Sequence, residues 1–159
     1  MSAQLDYSPE EWQEIVNAPV LAGMLVITSD PAIFGSIKES ATIAATISEY
    51  GQSSETELIR EIGQAMSGKE KPKMPELPTK EGPAEVMSVL VKKCHSAARI
   101  VESKSPEEAE AFSLYLIDIA KKTAQSSREG GFLGIGSTRV SDQEKAAVKQ
   151  LADALGIPL

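Results

Sequence analysis

Apolar residues recur along this chain at intervals of three and four, the spacing that gathers them on one side of an α-helix, and no stretch reads convincingly as a strand. The first run holds Trp12, Ile15, Val16, Leu21, Met24 and Leu25. It opens at Ser8-Pro9-Glu10-Glu11, a capping box with proline at the first helical position. Pro19 lies inside the run, so residues 9–29 read as one kinked helix or as two short ones. After a turn at Asp30–Gly35, the residues Ile37, Ala41, Ala44 and Ile47 mark a second helix, which Gly51 is expected to stop. Ser54 opens a third, with Leu58, Ile59, Ile62, Ala65 and Met66 on one face.

Periodicity then lapses. Residues 67–82 hold Gly68, Pro72, Pro75, Pro78 and Gly82 among charges, the composition of a surface linker between two halves. A fourth helix is predicted over 83–103, with Met87, Leu90, Cys94, Ala97 and Val101 facing inward. A second capping box, Ser105-Pro106-Glu107-Glu108, opens a fifth that buries Phe112, Tyr115, Leu116 and Ile119. Past a glycine-rich stretch at Gly130–Thr138, Ser141 and Glu144 cap a last helix carrying Val148, Leu151, Ala152 and Leu155, closed by Gly156 and Pro158. The pattern predicts a single-domain, all-α bundle of six to seven helices. The two Ser-Pro-Glu-Glu boxes suggest two pseudo-symmetric helical hairpins, although common helix caps would produce the same likeness.

Composition narrows this picture only slightly. Apolar residues make up 42% and aromatic ones 4%, a balance that suits helix packing better than a β-sandwich. A net charge of −7 argues against a nucleic-acid binder, which presents basic surface to phosphates. A lone cysteine, Cys94, forms no internal disulfide and fits a reducing compartment. Residues Met1–Tyr7 lack the basic and apolar regions of a signal peptide, and the most apolar stretch, Val20–Ile27, is too short to span a bilayer. The expectation is a soluble, cytoplasmic protein.

Three sets of residues invite a chemical reading. Cys94 and His95 are each unique, but helical neighbours point about 100° apart and cannot act as nucleophile and base. Cys94 falls on the apolar face, so a buried structural thiol is the expectation. The glycine run lacks the Gly-Lys-Ser/Thr of a phosphate loop and no strand precedes it. Its Phe132, Leu133 and Ile135 are costly in water, and are read as packing on the bundle or on a partner. Lastly, Asp30, Glu39, Glu129, Asp142 and Glu144 would converge at one end of a two-fold bundle as a hard-cation site. Complementing helix dipoles and caps would place acids at those positions equally well.

The stretch from Leu116 to Ile157, above all Glu144 to Gly156, resembles the C-terminal helical hairpin of the tellurite-resistance TerB-like family. Leu21 to Ile47, with Ser29-Asp30 and Glu39, is similar to its first hairpin. The resemblance implies an all-helical, internally duplicated bundle with an acidic cation site. Only Asp30, Glu39 and Glu144 carry that site over. Pro31 stands where the family has a turn glycine, the Asp30–Glu39 spacing is longer, and residues 128–140 look inserted after Ser126-Ser127. The leading expectation is a non-enzymatic interaction or stress-response module, binding a protein partner or itself as a homodimer through Phe132, Leu133 and Ile135. Asp30, Glu39 and Glu144 would hold Ca²⁺ or Mg²⁺ weakly. The alternative is a small metal-dependent hydrolase using the same carboxylates. A third, a membrane-surface protein using the 130–138 loop, is opposed by the acidic charge facing anionic lipid.

Overall fold

The computed structural model describes residues 3–29, 38–68, 75–129 and 142–158, with side chains outside 3, 38–42 and 126–129. Among these there are six α-helices and no strand: α1 (Pro9–Ser29), α2 (Lys38–Ser53), α3 (Glu57–Ser67), α4 (Pro83–Lys104), α5 (Pro106–Glu129) and α6 (Asp142–Leu155). The protein is an all-α bundle, as its periodicity predicts. Proline is the first residue of α1, α4 and α5, where its missing N–H is one the helix would leave unbonded anyway.

Helix α1 is the centre. Residues Ile15 to Pro19 are buried in succession, then Leu21, Ala22, Leu25 and Val26, so the helix shows the core more than one face. It packs against each of the other five helices, most extensively α4 and α5. From Ala18 to Ile27 the helix is apolar all round, and such a segment has to lie inside. The helix also runs unbroken through Pro19. An interior proline costs about 3 kcal/mol, and the packing that encloses α1 outweighs that loss.

The two capping boxes behave differently. At α1 the Ser8 amide donates to Glu11 Oε1 at 2.9 Å and the Glu11 amide to Ser8 Oγ at 3.1 Å, the reciprocal pair that the sequence predicts. At α5 both side chains are drawn elsewhere. Ser105 Oγ accepts from the Tyr7 hydroxyl at 3.0 Å, and Glu108 Oε2 accepts from the Leu58 amide at 3.2 Å, capping α3 rather than its own helix. Tyr7 follows a short 3-10 helix, Ala3–Asp6, and packs on Trp12; Lys104 pairs with Glu11 at 2.8 Å close by. The N-terminal segment is thereby fastened to the α4–α5 turn.

Gly51 does not stop α2, which continues to Ser53. A Cβ on Gly51 would stand 2.9 Å from the Gly63 Cα, so α2 and α3 cross with their backbones in contact. Residues 75–82 are less detached than a linker composition suggests: Leu77 packs against the core and Thr79–Glu81 form a 3-10 turn. At the far end Gly156 has φ +72°, donates to Asp153 O at 3.2 Å, and lets the Ile157 amide reach Ala152 O at 2.9 Å. This is a Schellman closure, and it turns Ile157 and Pro158 back along α6.

Candidate functional site

A largely apolar hollow runs between α5 and α6, with a volume of about 550 Å³. Its α5 bank presents Leu114, Ile117 and Ala124; its α6 bank presents Val148, and the Schellman turn adds Ile157 and Pro158. Leu114 is 43% exposed, one of two large apolar side chains left so open in the described residues. Along the rim stand Asp118, Lys121 and Gln125 from α5 and Lys145 from α6.

Asp118 is held from behind. Tyr50 of α2 donates its hydroxyl to Asp118 Oδ2 at 2.9 Å, and Lys122 Nζ lies 4.7 Å from the Tyr50 ring centroid. Burial, and then the acceptor Asp118, raise the Tyr50 hydroxyl above its ordinary value. Tyr115 stacks on Tyr50 at 5.0 Å between centroids and is wholly buried, and its hydroxyl has no hydrogen-bond partner among the described residues.

Two further hollows are more polar. One, of about 390 Å³, lies between α1, α4 and residues 75–76, and is lined by Glu10, Glu14, Asn17, Glu76 and Lys93. The other, of about 380 Å³, holds His95, Arg99, Glu102, Glu110 and Asp153 where α4, α5 and the end of α6 meet. Its Arg99–Glu102 pair, 3.1 Å apart, is well exposed on both sides and therefore contributes little.

Cys94 and His95 separate as helical geometry requires. His95 is exposed, whereas Cys94 is fully buried and gives its Sγ hydrogen to Ala18 O at 3.6 Å. Burial pushes the Cys94 thiol up from 9.0 to about 12, the reverse of what a nucleophile needs. Tyr115 is also raised by burial, and then by Tyr50. Both groups stay protonated in the fold while the unfolded chain releases their protons, so their stabilising contribution is whole below pH 9 and drains away as pH rises towards 12. Denaturant titrations between pH 8 and pH 10 should show wild type losing stability faster than Cys94→Ala, the difference in slope approaching about 1.4 kcal/mol per pH unit. Parallel slopes would contradict the buried, protonated thiol.

Of the predicted metal ligands, Glu144 lies in the first turn of α6 and is 0% exposed, turned inward with Ala147, Val148 and Leu151. Asp30 is outside the described residues, and so is the Glu39 side chain, though its backbone belongs to α2. Phe132, Leu133 and Ile135 also fall outside them. Among the described residues, no three His, Cys, Asp or Glu side chains gather closely enough to hold a metal ion. No helix there is long and apolar enough to cross a membrane.

Sequence reasoning missed the groove. Leu114 and Ile117 lie off the stripe formed by Phe112, Tyr115, Leu116 and Ile119, and a second apolar face on one helix was the signal available. Comparison with family models, with characterised proteins and with solved structures gave no match to this chain.

Proposed function

We propose that this chain is a non-enzymatic interaction module that seats a helical segment of a protein partner in the α5–α6 groove. The observation that carries the reading is the groove itself, floored by the buried Ile117, Ala124 and Val148 and opening at Leu114, 43% exposed, with Ile157 and Pro158 beside it. Such a surface is costly in water and is the form taken by sites that accept the apolar face of a partner helix. The buried, protonated thiol of Cys94 weighs against cysteine chemistry. Kinship with the tellurite-resistance TerB-like family would place the module in stress response, and weak Ca²⁺ or Mg²⁺ binding through Asp30, Glu39 and Glu144 belongs to that same proposal.

The test is a selection of helical peptides on the immobilised protein, followed by backbone-amide NMR with each peptide selected. Peptides should shift amides of α5 and α6 and bind about tenfold or more weakly to Leu114→Glu, since burying a leucine is worth roughly 1.5–3 kcal/mol. Leu114→Glu should itself melt close to wild type, because the side chain is half open already. Peptides that bind elsewhere, or that are indifferent to Leu114→Glu, would overturn the reading.

A further inference from the structure

The groove has a shape and a charge that narrow its occupant. On α5 its lining runs from Leu114 to Gln125, and at 1.5 Å per residue this is a trough about 16 Å long, room for three turns of helix. Lys121 and Lys145 stand exposed on opposite banks. The chain as a whole carries −7, yet at physiological salt charges farther than about 8 Å are largely screened. Within the lining two lysines face a single acid, Asp118, so a docked segment meets a rim of net positive charge. Asp118, the one acid in the lining, already accepts from Tyr50, and Lys122 sits over that ring.

We infer that the groove takes an acidic amphipathic helix of a partner protein, with its apolar face on Leu114, Ile157 and Pro158 and carboxylates beside Lys121 and Lys145. This rests on the groove being a docking site, and the experiment separates the two claims. Two stapled helical peptides of about three turns share one leucine face and differ only in flanks of Glu or of Lys. Their binding is followed by fluorescence anisotropy at low and high salt, beside sedimentation of the protein alone.

The Glu peptide should bind about tenfold more tightly at low salt, from two exposed pairs gained against two repulsions. The gap should narrow at high salt. In the Lys121→Glu, Lys145→Glu double variant the preference should reverse, with melting unchanged because both side chains are exposed. Equal affinities, both lost in Leu114→Glu, would overturn the acidic partner and leave the docking site standing. Failure of both peptides would overturn the docking site as well. A wild-type dimer that Leu114→Glu dissociates would instead assign the groove to a second copy of the chain.

Discussion

Phe112→Ala is expected to lower the free energy of unfolding by about 3–5 kcal/mol, the cost typical of emptying a phenylalanine site in a tight core. Phe112 is 0% exposed on α5, within the single buried cluster that α1, α4, α5 and α6 share. Two contributions add: the apolar area returned to water, and the cavity that neighbours on regular helices cannot collapse to fill. A domain of this size has roughly 5–15 kcal/mol in total, so the variant would keep a small margin at best. Guanidinium unfolding should show the midpoint falling with the slope nearly unchanged. A loss below about 1 kcal/mol would mean that the α5 core is far looser than its burial implies.

Gly51→Leu should be comparably severe for the opposite reason. The Gly51 position faces the Gly63 backbone, where even a Cβ would come within 2.9 Å, and neither helix has a flexible side chain there to move aside. Overpacking typically costs about 1–3 kcal/mol, and a side chain aimed at backbone belongs at or above the top of that range. Gly51→Ala sets two effects against each other. Alanine favours helix by about 1 kcal/mol, but it meets the same backbone, so a net loss is expected. Circular dichroism melts of the two variants provide the check. A stabilised Gly51→Ala would show that α2 and α3 can separate freely.

These glycines show where the sequence was legible. Gly51 and Gly156 both follow an apolar helical run and both read as stops. Gly156 is one, because nothing packs against it and the left-handed φ is available. Gly51 is not, because the missing side chain serves α3, which no local pattern announces. The Ser-Pro-Glu-Glu boxes make the same point. Local spacing predicts the α1 box correctly, while Tyr7 and the α3 amide, remote in sequence, claim Ser105 and Glu108. Helix number, type and core stripes were readable because they depend on neighbours three and four residues away. The groove was not, since α6 covers Ile117 and leaves Leu114 open, and how far α6 extends across α5 is not written in local spacing. The predicted acidic site rests chiefly on Asp30 and the Glu39 side chain, beyond the described residues.

The central position of α1 has a consequence during synthesis. The helix that needs the most covering leaves the ribosome before the five helices it packs on, and its main partners, α4 and α5, end only at Glu129. At about 5–20 residues per second, roughly 5–20 s separate completion of α1 from completion of α5. Until α4 is complete at Lys104, the nascent chain carries a helix whose second half is apolar all round, with only α2 and α3 available to shield part of it. Assembly of this bundle thus waits on its C-terminal half, and α1 is the segment on which chaperones would act.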